Sequence, residues 1–284
     1  MKSVVVTGAS TGIGLATCKA LIDAGFHVFG SVRRTQDANR LSAEFGSNFT
    51  PLLFDVTEPA AVQAAAKNVR VALNGETLKG LVNNAGVVVG GPLTELPIEA
   101  FRRQLEINLT GQLIVTQAFA PLLGTDRALK GPPGRIVMMS SASGKNAIPF
   151  IGPYAASKHA LEGLSESLRR ELMLFGIDVI VIGPGAVKTP IWEKAEKEDI
   201  SAYRNTPYAK ALDTLRDMAL MTGRRGIAPE RVARLVLHAL TARRPRVRYA
   251  IDSERFVRFM SRILPKRFLD RVIARRIGLT RKEK

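Results

Sequence analysis

Tyr154 and Lys158 stand four residues apart in "PYAASKHALEG", at the start of a helical stretch, and therefore share one helical face. A phenol ordinarily titrates at about 10, and a neighbouring ammonium favours the phenolate. The pair predicts a tyrosine whose pKa is lowered towards neutrality, able to give a proton to a reacting oxygen or take one from it. Such pairs also occur on ordinary exposed helices, so its meaning depends on what surrounds it. Upstream, the apolar run "RIVMMSS" (135 to 141) ends in serines. Ser141 could donate a hydrogen bond to a substrate oxygen and hold it near Tyr154, with Ser140 and Ser143 as competitors for that role.

A second constellation lies near the start of the chain. "TGASTGIG", Thr7 to Gly14, follows an apolar run and opens a helical pattern. Gly8, Gly12 and Gly14 permit a tight turn and close backbone approach, so that a pyrophosphate can meet the free N–H groups and positive dipole end of a helix. Further on, "FGSVRRT" has Ser31 and Val32 where an acid that binds a ribose 2′-OH would sit, followed by Arg33 and Arg34. Arginine there accommodates a 2′-phosphate. NADP(H) is thus expected over NAD(H), with Arg33 as the principal phosphate ligand and Arg34 assisting.

The elements that must position these groups read as alternating short β-branched runs and longer helical patterns. Strands are expected over 3–7, 27–32, 49–55, 80–85, 135–141, 178–183 and 247–251, and helices over 12–24, 58–73, 98–123, 154–175 and 229–242. The fold class is α/β: a doubly wound, Rossmann-like parallel sheet of seven strands with helices on both faces. Residues 1–252 are expected to form the domain built on this sheet. Within it, the polar, helix-prone segment 189–225 follows the sixth strand, where an insertion is placed to act as a lid over ligands at the carboxyl ends of the strands. Residues 253–284 form a basic amphipathic helical extension.

The ordered set of TGxxxGxG, "NNAG" (83 to 86), Asn108 in "LEINLTG", Ser141, YxxxK and "PG" (184 to 185) resembles the short-chain dehydrogenase/reductase family, from about Ser3 to Ile251. The resemblance implies that Ser141 is the serine that positions substrate and that Tyr154 is the general acid/base. It implies that Asn108 distorts its helix and holds a water linking Lys158 to solvent. For the cofactor it implies contacts from Gly8, Ser10, Thr11, Gly12, Ile13 and Gly14, from Asp55 and Val56 at the adenine, and from Asn83, Ala85 and Gly86 beside the adenine ribose. Pro184, Gly185, Val187 and Thr189 would border the nicotinamide, with the Val187 backbone addressing the carboxamide, and Tyr154 and Lys158 would reach the same group. The asparagines of "NNAG" are also suited to tying the central strands together. One departure stands out: relatives that use NADP often carry a basic residue just before the second motif glycine, and here that residue is Thr11. Homodimers or homotetramers through the helices around Asn108 and Tyr154 are implied, and no metal site is.

Residues expected to face substrate are mostly apolar: Ala142, Ile148, Phe150, Ile151, Ala186, Ile191 and Trp192, with Met218 and Met221 from the lid. They suit a small hydrophobic alcohol or ketone better than a sugar or an anion. "GPGAVKTPIWEKA" and the long tail look most like the family's steroid, retinoid and lipid-alcohol branch. Two other functions remain open at this stage, a 3-oxoacyl-type reductase and a catalytically silent cofactor-sensing or scaffold protein of the same fold.

The formal charge is +17, and 15 Lys and Arg against 4 Asp and Glu fall from Arg243 onwards. The basic charge therefore belongs mainly to the tail. No nucleic-acid-binding motif accompanies it, and the tail aromatics fall on an apolar stripe instead of being free to stack on bases, which disfavours a nucleic-acid partner. Phe256, Val257, Phe259, Met260, Ile263 and Leu264 share one side of a first tail helix. Phe268, Leu269, Val272, Ile273 and Ile277 repeat the pattern after Pro265. Two uses are open for these helices: lying in an anionic membrane interface, or packing on the domain or a partner subunit and covering the substrate cleft. One cysteine, no apolar run long enough to span a bilayer and a strand beginning at Ser3 lead to the expectation of a cytoplasmic protein.

Overall fold

The computed structural model describes residues 2–192, 200–252 and 264–280. Seven parallel strands form one sheet: β1 (Ser3–Val6), β2 (His27–Val32), β3 (Phe49–Leu53), β4 (Gly80–Asn83), β5 (Arg135–Met139), β6 (Asp178–Pro184) and β7 (Arg248–Ile251). Their spatial order is β3-β2-β1-β4-β5-β6-β7. The order reverses between β1 and β4, where consecutive connections leave on opposite faces and open a crevice at the carboxyl edge.

Alternation along the strands explains why their sequences are apolar throughout. Val5, Ile136, Met138, Val179 and Val181 enter one buried cluster, whereas Val4, Val6, Val137, Met139, Ile180 and Ile182 enter the other. Side chains on a strand point alternately to the two faces, so a sheet covered on both sides needs apolar residues at every position. The first face is covered by α3 (Pro59–Leu73), α5 (Gly111–Ala120) and α6 (Gly152–Glu171), which contribute Val62, Val69, Val115, Phe119 and Leu161. The second is covered by α1 (Gly12–Asp23), α2 (Thr35–Phe45) and α8 (Pro229–Thr241), which contribute Leu21, Leu41, Val232 and Val236. Each fully buried side chain of this size is worth about 1.5 to 3 kcal/mol.

The helix expected over 98–123 is not uniform. It begins as α4 (Ile98–Leu105), widens into a π-helical turn at Glu106–Thr110 and continues as α5. Gly111 N–H reaches back five residues to the Glu106 carbonyl. Asn108 is the buried residue of that turn, so the expected local distortion is present. The short α2 was not expected from the sequence.

After β6, the lid segment contains a turn at Ser201–Tyr203 and α7 (Ala209–Arg224). The first tail helix, over 253–263, lies outside the described residues. The second is α9 (Lys266–Ile277), and it packs on α7. Phe150, Tyr203, Ala211, Leu212 and Ile277 form a third buried cluster, with Tyr208, Met218 and Ile273 packed against it. Of the tail's two helices, α9 thus packs against the lid helix. Its apolar residues are divided between two faces: Ile277 is buried, whereas Phe268 and Val272 are about half exposed.

Candidate active site

The carboxyl ends of β1, β4, β5 and β6 converge on one crevice. At its floor Thr7 joins two of them. Its Oγ1 donates to Val82 O at 3.3 Å and accepts from Asn84 N at 2.9 Å and Ala85 N at 3.0 Å. Asn84 Nδ2 then donates to Thr7 O at 2.9 Å. The glycine-rich turn is held from the other side by Ser31, whose Oγ accepts from Gly8 N at 3.1 Å and whose carbonyl accepts from Ala9 N at 2.9 Å.

Thr11 stands at the N-cap of α1 without a side-chain cap bond, and the first turn of α1 holds no acidic residue. The helix therefore keeps its leading N–H groups and positive dipole end for an anion. A Cβ on Gly14 would lie 2.0 Å from Gly8 O, and one on Gly12 would lie 3.1 Å from Thr189 Cγ2. Gly14 thus serves close packing of turn on helix, and Gly12 keeps open the space between the turn and the segment after β6. Ser10 and Ile13 are half-buried. A glycine turn with uncommitted N–H donors, opening a helix at the sheet's switch point, fits the pyrophosphate of a dinucleotide.

Beyond the turn, Arg33 lies 3.6 Å from Asp55 Oδ2 and is largely exposed. Asp55 accepts from Thr57 N at 3.1 Å and Thr57 Oγ1 at 2.9 Å. Burial alone would raise its pKa, but these hydrogen bonds and the Arg33 charge hold it below the usual carboxylate range. A groove of about 670 Å³ opens here, lined by Arg33, Asp55, Thr57, Arg102 and Arg103 among others. Arg34 is tied to its own helix by a 2.9 Å bond from Nε to Asp37 Oδ2. The Val56 side chain is buried in the core, which leaves only its backbone to border the groove. Ala85 is half-buried and Gly86 is exposed along the crevice.

Asn83 corrects one expectation. It has no exposed surface, and its Nδ2 donates to Thr116 Oγ1 at 2.8 Å inside the sheet–helix layer. Successive residues of a strand face opposite sides. Asn83 therefore ties β4 to α5 and cannot line the adenine ribose; Asn84, bonded to the turn, stands at the crevice instead.

On the other side of the crevice, β5 and α6 bring the predicted catalytic residues together. Ser141 follows β5, its Oγ accepting from Ser143 N at 3.1 Å and hydrogen-bonding the Tyr154 phenol. Lys158 is buried, with Nζ donating to Met139 O at 2.7 Å and lying 5.7 Å from the Tyr154 ring centre. The pKa directions differ from the expectation. Burial pushes the Tyr154 phenol up, against the smaller opposing effect of the Ser141 hydrogen bond. Burial lowers Lys158 to about 8. Loss of water around the phenol thus favours its protonated form.

Asn108 Nδ2 donates to Val87 O at 2.9 Å and Ser157 Oγ at 3.2 Å, while its Oδ1 accepts from Val87 N at 2.9 Å. The side chain thereby clamps the loop after β4 to α6, and both amide hydrogens are committed to protein. Ser140 faces away from the crevice and donates to Glu162 Oε1 at 2.8 Å.

The segment after β6 supplies the remaining wall. Ala186 and Lys188 pair with Ile227 through backbone hydrogen bonds, and the Val187 carbonyl accepts from Trp192 Nε1 at 2.7 Å. Among the described residues the Val187 N–H has no protein acceptor, which suits it to an external carbonyl. Pro184 is buried at the end of β6, and Gly185 lies so close to Asp252 that a Cβ there would sit 2.4 Å from Asp252 Cβ. Thr189 borders Gly12.

The predicted substrate residues are only partly gathered. Ala142, Ile151, Ala186 and Ile191 are half-buried around the mouth, and Ile148 is exposed. Trp192 lies against Gly223 of α7 and anchors the lid through Val187. Met218 packs in the third cluster, whereas Met221 is more than half exposed. Phe150 has a left-handed backbone, φ 64°, and its ring meets Tyr208 edge-on at 5.9 Å. That conformation costs a non-glycine residue on the order of 1 kcal/mol. Gly91 N, donating to Phe150 O at 2.7 Å, helps hold it there.

Two supports of the site were missed in the sequence. Gln104, fully buried and four residues before Asn108, donates from Nε2 to Val87 O at 2.9 Å and accepts from Val89 N at 2.7 Å. Glu162 receives Ser140 and two Arg248 nitrogens, Nε and Nη2, each at 2.9 Å. Burial alone would raise its pKa, but the bonds from Arg248 and Ser140 keep it below the usual range. The cluster fastens α6 to the ends of β5 and β7, fixing Ser141 relative to Tyr154.

Comparison with known proteins agrees with this geometry. A sequence model of the family described as short chain dehydrogenase matches residues 2–200. The chain belongs to the short-chain dehydrogenases. Over 273 residues, 96% of each protein, this short-chain dehydrogenase is 36% identical to an NADPH-dependent 3-dehydrocapnine reductase of Ornithobacterium rhinotracheale. Among solved structures, a short-chain dehydrogenase from Streptomyces avermitilis superimposes with a TM-score of 0.75 at 25% identity, covering 99% and 98% of the two chains. A short chain dehydrogenase/reductase from Burkholderia phymatum in complex with NAD gives 0.73 at 25% identity, over 87% and 88%. The protein is thus an oxidoreductase of this family, suited to alcohol/carbonyl redox chemistry.

Proposed function

We propose that the protein reduces a hydrophobic ketone or aldehyde to the alcohol with NADPH, Tyr154 serving as the proton donor. The observation that carries this reading is the joint placement of Ser141, Tyr154 and Lys158 at the ends of β5 and α6, with burial holding Tyr154 as a phenol. When bound, the reduced nicotinamide supplies the hydride to the carbonyl carbon. Ser141 holds the carbonyl oxygen by a hydrogen bond, and Tyr154 delivers its proton to the oxygen as negative charge develops there. Lys158 stabilises the resulting phenolate and passes it a proton, which the amine then recovers from solvent. Asn108 and Gln104 keep the loop after β4 in place beside them. The Val187 N–H, the uncapped start of α1 and the Arg33 side chain are the contacts we assign to the carboxamide, the pyrophosphate and the ribose 2′-phosphate.

The name of the Ornithobacterium relative supports both the phosphorylated cofactor and the reducing direction. The apolar lid cluster supports a hydrophobic substrate. A panel of aliphatic and cyclic ketones, aldehydes and the matching alcohols, followed by absorbance of the reduced cofactor with NADPH and NADH in parallel, tests the reading. The expected result is faster turnover of apolar carbonyls with NADPH; preference for NADH, or for polyhydroxylated substrates, would refute it.

One observation favours a membrane surface as the place where such a substrate is met. Phe268 and Val272 are exposed one turn apart on α9, among the exposed Lys266, Arg267, Arg271 and Arg275. No helix among the described residues is long and apolar enough to cross a membrane. Vesicles containing phosphatidylserine are expected to float the full chain, and the Phe268→Ser/Val272→Ser double variant is expected to bind them at least about fivefold less. Equal flotation of the two proteins, or of neutral and anionic vesicles, would remove the membrane from the account.

A further inference from the structure

Arg40 lies on α2, the helix between β2 and β3, yet its side chain reaches the glycine-rich turn. Nη2 donates to Ser10 O at 2.7 Å, one residue before Thr11. The same nitrogen lies 3.6 Å from Asp37 Oδ1, and Nη1 lies 3.5 Å from Glu44 Oε2. These carboxylates steady the side chain at the long end of contact distance. The side chain remains 45% exposed. Of its five donors, one is firmly committed to the turn, so others stay available in a fixed fork.

The turn itself carries no cation: Thr11 occupies the place where NADP-using relatives of the motif often have one. The loop after β2 supplies Arg33, which faces Asp55 at 3.6 Å. Arg34 is held by Asp37 at 2.9 Å. Arg33 lines the groove after β2 and Arg40 reaches the glycine-rich turn at Ser10, so two guanidinium groups approach the crevice from two different elements.

We propose that Arg40 is a specificity-determining residue for the phosphorylated cofactor, its guanidinium contacting the ribose 2′-phosphate together with Arg33 and standing in for the cation the turn lacks at Thr11. The inference rests on the NADP(H) reading above. Arg33, Arg34 and Arg40 are balanced by Asp37, Glu44 and Asp55, so discrimination comes from placed donors and not from a net field. Anchoring on Ser10 matters for that reason. A long side chain already fixed at one nitrogen loses little further freedom when a dianion arrives, and charge-assisted bonds from a guanidinium to phosphate are among the stronger polar contacts.

Calorimetric titration of the full chain separates this role from mere bracing. The probes are 2′,5′-ADP and 5′-AMP, which differ only in the 2′-phosphate, together with NADPH and NADH. Arg40→Ala is expected to weaken 2′,5′-ADP and NADPH by about 10- to 100-fold while 5′-AMP and NADH change by less than about twofold. Equal weakening of all four would mean that Arg40 only supports the turn through Ser10, and unchanged affinity for 2′,5′-ADP would equally overturn the proposal. Arg33→Ala keeps the two readings apart. If Arg33→Ala discriminates between the probes and Arg40→Ala does not, the NADP(H) reading stands and the assignment of Arg40 falls. If the wild-type chain binds 5′-AMP as tightly as 2′,5′-ADP, the NADP(H) reading falls and takes the assignment with it.

Discussion

Tyr154→Phe is expected to lower the rate of carbonyl reduction by about 1000-fold while leaving NADPH affinity within about threefold of wild type. The substitution removes one oxygen and keeps the ring. Only the hydrogen bond to Ser141 is lost, so stability should move by no more than about 1.5 kcal/mol. Steady-state turnover and a cofactor titration on the same preparation check the result. Activity above about a tenth of wild type would take the proton-transfer step away from Tyr154. The pH dependence follows from the same groups. The phenol carries its proton below its pKa, and burial raises that pKa above the ordinary value. Proton donation is therefore available throughout the neutral range. Lys158 loses its charge as pH rises through about 8, and with it the stabilisation of the phenolate. Reduction should hold steady from about pH 6 to 7 and decline above about 8.

Gly14→Ala is expected to cost more than its single methyl suggests. The new Cβ would sit 2.0 Å from Gly8 O and 2.7 Å from Asn84 Nδ2. Neither can move freely, since the first is backbone and the second is bonded to Thr7 O. Relief requires the turn to lift away from α1. We expect a loss of about 1 to 3 kcal/mol, read as a fall of several degrees in Tm, and a loss of NADPH affinity of at least about 100-fold because the N–H groups of the turn are no longer aimed at one point. Gly163→Ala is the control. It lies in α6 with nothing within 4 Å of the added atom, so it should stabilise by about 0.5 to 1 kcal/mol. Wild-type NADPH affinity in Gly14→Ala would show that the close packing of turn on helix is dispensable for binding.

The sheet was legible in the sequence because its central strands β1, β4, β5 and β6 are apolar on both faces, a pattern that local inspection detects. α2 was not, since "TQDANRLSAEF" buries only Ala38 and Leu41 and otherwise reads as a polar connection. The Ser141, Tyr154 and Lys158 constellation was legible because two of its members lie on one helix face and the third ends the neighbouring strand. Arg248 with Glu162, Arg40 with Ser10 and Ser31 with Gly8 were hidden for the opposite reason. Each joins residues 23 to 86 positions apart, and no local spacing announces them. In "NNAG" the sequence shows two asparagines but not which one faces the crevice; strand alternation, fixed only once β4 is paired, sends Asn83 inward and Asn84 to the turn. Spacing reveals the charge neighbouring the tyrosine and conceals the burial, which pushes the phenol up.

The π-helical turn at Glu106–Thr110 sets the phase of everything that follows it. One residue beyond the α-helical count is absorbed there, and a residue corresponds to about 100° of rotation in an α-helix. Upstream of the turn Gln104 faces the loop at Val87; downstream, Val115 and Phe119 face the core. Both orientations hold only while that extra residue is kept. Loss or gain of a single residue between Ile98 and Ala120 would swing either the loop clamp or the core stripe to the wrong side. A substitution within this stretch is thus easier to accommodate than an insertion or a deletion.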